Sequence, residues 1–259
     1  MPPTLVADAL GLLSGSMVGF SLGLVGGGGS VLAVPLMIYV VGVPSVHIAI
    51  GTTAFAVAVN AAANLVSHAR MGTVIWRCAG VFAAAGMVGA FAGSSLSKMV
   101  DGQKLLVLFA ILMLIIAAVM YARRSAEGEA NVKLSRQNFP RLAAGGLATG
   151  ALSGFFGIGG GFLIVPGLMF ACGMPIMNAI GSSLVAVTAF GATAAFNYAR
   201  SGLVDWHLAV IFITAGIVGG LAGGRVAKAL GNRRGTLNIV FAVIIVLVAL
   251  YMLARSIMA

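Results

Sequence analysis

Two stretches of this chain carry the same unusual pattern. Residues 19–35 read GFSLGLVGGGGSVLAVP and residues 150–166 read GALSGFFGIGGGFLIVP. Each is an apolar run broken by clustered glycines, followed by a second apolar run that closes in proline. In a bilayer, irregular backbone persists only where protein or a water-filled cavity surrounds it. Glycine-broken apolar segments at corresponding places in two halves therefore point to the binding site of a membrane carrier. The expected fold is doubled, with its site where the breaks meet.

Composition places the chain in a membrane. It is 61% apolar and only 8% charged, with mean hydropathy +1.12. A soluble domain carries about 25% charged residues. Apolar stretches of about twenty residues are long enough to span a bilayer as helices. They run Leu5–Val25 (with Asp8 near its start), His47–Ser67, Gly80–Ser97, Leu105–Ala122, Leu142–Ile158, Ile176–Ala199, Leu208–Gly224 and Leu237–Ala254. No Lys or Arg precedes the first stretch, so it is not read as a signal peptide. Cys78 and Cys172 make neither a disulfide framework nor a metal site. The net charge of +10 is read as basic loops facing anionic lipid, not as a nucleic-acid surface.

The repeat extends beyond the glycines. At an offset of 131, Gly15, Gly19, Gly23, Gly26, Gly28, Gly29 and Pro35 fall on Gly146, Gly150, Gly154, Gly157, Gly159, Gly160 and Pro166. One residue is then lost. At an offset of 130, Gly51-Thr52-Thr53 falls on Gly181-Ser182-Ser183, and Arg70, Gly72 and Trp76 fall on Arg200, Gly202 and Trp206. Gly86, Gly89, Gly93 and Lys98 likewise match Gly216, Gly219, Gly223 and Lys228. The chain divides into a first membrane repeat over 1–122, a basic linker over 123–141 and a second repeat over 142–259.

Loop charge selects the arrangement of the halves. With one crossing per glycine-broken segment, basic residues divide almost evenly between the two sides. With a turn-back at the glycines, each half has five segments and the halves are inverted. Arg70, Arg77, the linker cations Arg123, Arg124, Lys133, Arg136 and Arg141, and Arg225, Lys228, Arg233 and Arg234 then share one side. Lys98, Lys104, Arg200 and Arg255 occupy the other. The positive-inside rule prefers the second scheme. The expected fold is an all-α polytopic membrane protein built as two inverted repeats. It has eight main transmembrane helices and two short or re-entrant glycine-broken helices, about ten segments. The linker is then cytoplasmic and both termini lie outside. Ser30–Val43 would make about 21 Å of helix, short of a core about 30 Å thick, so it should be tilted or re-entrant and buried in protein.

The breaks suit an anion. Gly27, Gly28, Gly29 and Ser30, with Gly159, Gly160 and Gly161 in the other half, expose backbone N–H groups where a helix restarts. Orphan donors and the helix dipole both favour negative charge there. Thr52, Thr53, Ser182 and Ser183 add hydroxyls early in the next helix of each half. Asn60, Asn64 and Asn197 are the strongest other polar groups inside spans, and Asn60 and Asn197 are candidates for substrate contact. No Asp or Glu lies deep in a span, whereas a carrier of cations or protons is expected to keep one. Arg70 and Arg200 are candidates for gating the site. Plainer roles stand beside each of these. Glycines four apart pack helices, span hydroxyls bond back to their own helix, and paired arginines anchor loops at headgroups. His47, His68 and His207 lie near span ends, where interfacial placement outweighs proton transfer.

With the doubled Gly26–Ser30/Val34-Pro35 and Gly157–Gly161/Val165-Pro166 pattern, and with Gly51-Thr52-Thr53 and Gly181-Ser182-Ser183, the chain resembles the sulfite exporter TauE/SafE family, also called the toluene-sulfonate uptake permease family. The resemblance covers nearly the whole chain. It implies a polytopic carrier of sulfite, of sulfonates such as sulfoacetate, or of related organosulfur anions. The first cluster has Ser30 where the second has Gly161, so the two half-sites are unequal.

The expected function is a secondary transporter of small organosulfur anions in the bacterial inner membrane, working by alternating access. Its partners are that substrate and membrane lipid, with a homodimer as a compatible assembly. No cofactor is expected, and no GxxxxGK[ST] loop is present for ATP. The alternatives are an anion channel with the same cage, or a carrier of another small anion. An enzyme is not expected, since no nucleophile–base pair or HExxH is visible.

Overall fold

The computed structural model describes residues 5–25, 30–122, 138–157 and 161–229, together with Val246, Ala249, Leu250 and Met252. Among these residues every regular element is helical. The helices are α1 (Leu5–Val25), α2 (Ala33–Tyr39), α3 (Val46–Arg70), α4 (Trp76–Ser97), α5 (Gly102–Ala122), α6 (Phe139–Phe156), α7 (Gly161–Cys172), α8 (Ile176–Ala199) and α9 (Trp206–Ala229). Five of them contain stretches long and apolar enough to cross a membrane: Leu5–Leu24, Val46–Arg70, Trp76–Ser97, Met177–Ala199 and Trp206–Val226. The last expected span falls mostly outside the described residues; the four described there are helical. The expected linker also lies outside them up to residue 137. α6 begins at Phe139, with proline in its first turn, so the end of the 123–141 segment is already helix.

Helices α3 and α8 form the centre and run in opposite directions. Gly51 of α3 packs on Tyr198 and Leu203, Gly181 of α8 packs on Thr73, and Gly191 lies against Ala54 and Ala58. On one side, α1 runs alongside α9 in the same direction, with Gly15 on Phe212, Gly19 on Gly216 and Gly23 on Gly220. On the other, α6 runs alongside α4, with Gly146 on Phe82, Gly150 on Gly86 and Gly154 on Ala90. The two sets are one set of contacts with repeat partners exchanged. Small residues at every fourth position let these backbones touch, which is how helices associate where lipid removes the hydrophobic drive.

The short helices fill the interior. α2 is seven residues long and buries Ala33, Val34, Pro35 and Met37. That agrees with the expectation of a short, protein-enclosed segment. α7 has twelve residues with Pro166 inside it, and Gly167 lies on Phe82 and Thr149. α5 packs Phe109 on Phe156, with ring centroids 5.5 Å apart. The outside carries exposed apolar side chains on several helices, among them Leu12, Phe20, Val88, Phe91, Ile111, Val210, Val218 and Leu221. Large apolar surface of this kind belongs against a partner or a membrane; here the spans assign it to lipid.

The repeat persists in backbone conformation. Gly42 and Gly173 have φ of +82° and +69°, and Gly72 and Gly202 have +69° and +68°. These are turn positions that only glycine occupies without strain. The last two turn the chain at the ends of α3 and α8.

Candidate functional site

Thr52 and Ser182 sit in the second turn of α3 and α8, each beside a glycine that admits the other half. Thr52 Oγ1 accepts a hydrogen bond from the Asp205 backbone N–H at 2.9 Å. Ser182 Oγ accepts from the Ile75 N–H, also at 2.9 Å. Ile75 and Asp205 are repeat equivalents at the offset of 130. Both stand where a helix begins, so their N–H groups would otherwise lack an intrahelical acceptor. The two hydroxyls thus clasp the halves together, once at each end of the bundle. Asn178 strengthens one clasp by donating to the Thr73 carbonyl at 3.1 Å. Buried His68 adds a 3.0 Å bond between Nδ1 and Thr73 Oγ1. At the other clasp the equivalent of His68 is Tyr198, whose hydroxyl donates to Ser97 Oγ at 2.8 Å.

Thr53 and Ser183 are fully buried and bond to their own helices. Thr53 Oγ1 donates to the Ala49 carbonyl at 2.7 Å, and Ser183 Oγ donates to the Ile180 carbonyl at 2.7 Å. The plainer reading of a span hydroxyl therefore describes this pair, and the Thr52–Ser182 pair has a structural partner that the sequence did not indicate.

Gly27, Gly28, Gly29, Gly159 and Gly160 lie outside the described residues. Ser30 is buried in the short turn that leads into α2, and Gly161 opens α7. The helix ends that precede the two breaks do not meet. Gly157 ends α6 with a left-handed φ of +66° and packs on Ile50 of α3. Gly23 packs on Gly220, which itself faces Asn64 of α3. Ile50 and Asn64 are fourteen residues apart on one helix, about 21 Å at 1.5 Å per residue. The expectation that the breaks face each other near the midplane treats them as ends of half-helices. But α1 has 21 residues and α6 has 18, and they run in opposite directions. Gly23 and Gly157 therefore lie toward different ends of the bundle.

The asparagines divide. Asn60 is fully buried in the middle of α3, against Gly216 of α9, and neither amide atom has a hydrogen-bond partner among the described residues. Asn64 donates to the Asn60 carbonyl at 3.0 Å. Asn197 is taken up by neighbours: Nδ2 donates to Ser94 Oγ at 2.7 Å and Ser95 Oγ at 2.8 Å, and Oδ1 accepts from Lys98 Nζ at 2.9 Å. Its amide holds α8 to α4. Arg70 and Arg200 are exposed at opposite ends of the bundle, with the Arg200 guanidinium 5.8 Å from the Phe196 ring. Trp76 and Trp206 beside them are also exposed, as headgroup anchors are.

Lys98 is the functional-looking residue that sequence reasoning passed over as a loop charge. Its ammonium also donates to the Asn197 carbonyl at 3.3 Å and Ser201 Oγ at 2.9 Å, and lies 5.9 Å from the Tyr198 ring. The available signal was its match to Lys228. No carboxylate pairs with it among the described residues. The described acids lie at helix starts: Asp8 against His207 at 3.0 Å, Asp101 on the N–H of Gln103 and Asp205 on the N–H of Leu208. Lys98→Met should lower stability by about 1.5 kcal/mol, the low end for hydrogen bonds to a charged group, because the half-buried ion keeps part of its hydration. Thermal unfolding in detergent checks this.

Comparison with known proteins bears on what such a bundle does. The family model described as sulfite exporter TauE/SafE matches residues 11–252. A probable membrane transporter protein of Xylella fastidiosa is 51% identical over 247 residues, covering 94% of each chain. The probable membrane transporter proteins YdhB and YunE of Bacillus subtilis are each 26% identical, covering 81% and 92% of this chain and 86% and 92% of their own. No solved structure matches. With a family match from one end of the described bundle to the other, and relatives of equal length that carry transporter names, the chain belongs to the sulfite exporter TauE/SafE family of multi-pass membrane transporters.

Proposed function

We propose that this protein is a secondary transporter that carries small organosulfur anions, such as sulfite or sulfonates, across the bacterial inner membrane by alternating access between two inverted halves. The observation that carries the reading is the pair of clasps. One hydroxyl-to-N–H bond joins the halves at each end of the antiparallel α3–α8 pair, and repeat equivalents make both. Two interchangeable closures around one centre are what a rocking carrier needs. The opposite directions of α1 and α6 support inversion. The placement of Arg70, Arg77 and Arg225 at the end opposite Lys98 and Arg200 supports a cytoplasmic basic side.

The anionic cargo rests on charge. The described acids stand at helix starts, and neutral donors are what the interior offers. In this reading the glycine runs act as two anion stations at different depths along α3 and α8. Gly27, Gly28, Gly29 and Ser30 form one, and Gly159, Gly160 and Gly161 form the other. Thr52, Thr53, Ser182 and Ser183 shape the wall between the halves, and Arg70 and Arg200 draw anions to the two mouths.

The test is direct binding of sulfite, sulfoacetate and 2-hydroxyethanesulfonate to purified protein, repeated with Gly28→Leu and Gly160→Leu. At least one anion should bind, and either substitution should abolish binding while membrane insertion persists. Binding of a cation or a neutral solute with none of the three anions would end the anion reading. Full binding by both glycine variants would move the site elsewhere.

A further inference from the structure

Asn60 is the one buried amide in the described bundle with nothing to bond. Its Nδ2 and Oδ1 both lack a partner, as does Ser14 Oγ on neighbouring α1. Gly15 rests on Phe212 while Asn60 rests on Gly216. Ser14 therefore lies about one helical turn from Asn60 along α9. Buried polar atoms are nearly always satisfied, and an orphan calls for a specific explanation.

Packing does not supply that explanation. The repeat equivalent of Asn60 is Phe190, seated against Gly86 as Asn60 is seated against Gly216. Phe190 stacks on Phe82 with centroids 6.2 Å apart, and both rings are fully buried. The same backbone, opposed by the same glycine, thus accepts an apolar ring in the other half. An unpartnered amide at that place costs stability that the apolar ring does not, which points to a polar guest. Its depth also fits a path. Asn60 is four residues from Asn64 and ten from Ile50, so it lies between the levels of the two glycine-break flanks, about 6 Å from one and about 15 Å from the other.

We infer that Asn60 contacts the transported anion in the middle of the membrane, and that the anion brings a hydrogen-bond donor of its own beside its oxyanion oxygens. A carboxamide presents two N–H donors and a carbonyl acceptor. An oxyanion without hydrogen would accept from Nδ2 but leave Oδ1 facing negative charge. A small monoanion with an N–H or O–H group satisfies both atoms. This inference rests on the anion-carrier reading and narrows it. At the depth of Asn60 the two halves are unequal: the α1–α3–α9 group offers the amide, and the equivalent position between α4 and α8 is filled by the Phe82–Phe190 stack.

The experiment compares 2-hydroxyethanesulfonate with ethanesulfonate, two monoanions that differ by the hydroxyl donor, on the wild-type chain and on Asn60→Leu. The wild type should prefer the hydroxy compound by about tenfold or more, because a site built for a polar group rejects the analogue that lacks it. Asn60→Leu should melt at a higher temperature and bind without that preference. Asn60→Phe copies the second half's own residue and gives the same comparison with a side chain the fold already accommodates. Gly216→Ala, which crowds the amide, should weaken binding of the hydroxy compound more than that of ethanesulfonate. Equal wild-type binding of the two sulfonates overturns the inference and leaves the anion-carrier reading standing. So does a preference that survives in both Asn60 variants. Binding of a neutral solute or a cation, with neither sulfonate, overturns both.

Discussion

Gly150→Val is expected to leave no folded protein. A side chain at this position would fall on the carbonyl oxygen and Cα of Gly86, which are backbone and cannot rotate away. Overpacking a core typically costs about 1–3 kcal/mol when neighbouring side chains can yield. Here α4 and α6 must separate as rigid rods, so the neighbouring contacts of Gly146 on Phe82 and Gly154 on Ala90 go with it. The loss should exceed that range and match most of a domain's marginal stability. Gly19→Val, its repeat equivalent against Gly216, should behave the same way. Gly80→Ala is the control. Nothing lies within 4 Å of a Cβ there, although the residue is mid-helix in α4. Removing glycine from a helix interior should add up to about 1 kcal/mol. Size-exclusion profiles and melting curves in detergent check all three, and a monodisperse, normally melting Gly150→Val would show that the helix pair is not held by backbone contact.

Thr52→Val should cost about 1–3 kcal/mol, the penalty for leaving a part-buried N–H at the helix seam without its acceptor. The valine keeps the shape, so the change isolates the bond to Asp205. Ser182→Ala removes the Ile75 acceptor and should cost a similar amount. Thr52 and Thr73, which mark the two clasps, are 21 residues apart on α3 and beyond, about 30 Å along a helix. The two losses should therefore add in the double variant. If the halves rock, the variants should also differ in direction: each loosens one closure and favours exposure of the site at that end. Transport assayed in both directions across a vesicle membrane would reveal opposite biases. Unchanged melting in both variants would show that these bonds carry no load.

Much of the architecture was legible in the residues. Ile176–Ala199 is a helix at the very boundaries that hydrophobicity marks, because a span must be continuously apolar to sit in lipid. The repeat offset identified which contacts would be equivalent. It could not say that α1 pairs with α9 and α6 with α4, since an offset carries no partner information. For the candidate site, residue type was informative and environment was not. Thr52 and Asn197 stood out as polar groups in spans. Nothing local revealed that one meets an N–H in the opposite half and the other a lysine from α4. Asn60 was visible as an amide, but its lack of partners is a property of everything around it. The glycine runs were read as half-helix ends facing each other; of their surroundings, Gly23 and Gly157 lie at different depths along α3, which no local signal in the sequence carries.

The pairing of α1 with α9 has a consequence for biogenesis. About 180 residues separate the end of the first from the start of the second. At about 5–20 residues per second of synthesis, α1 waits on the order of ten to forty seconds in the bilayer before its mate is made. Through that interval its glycine stripe is bare, open to membrane chaperones, to proteases, or to the same stripe on a neighbouring nascent chain.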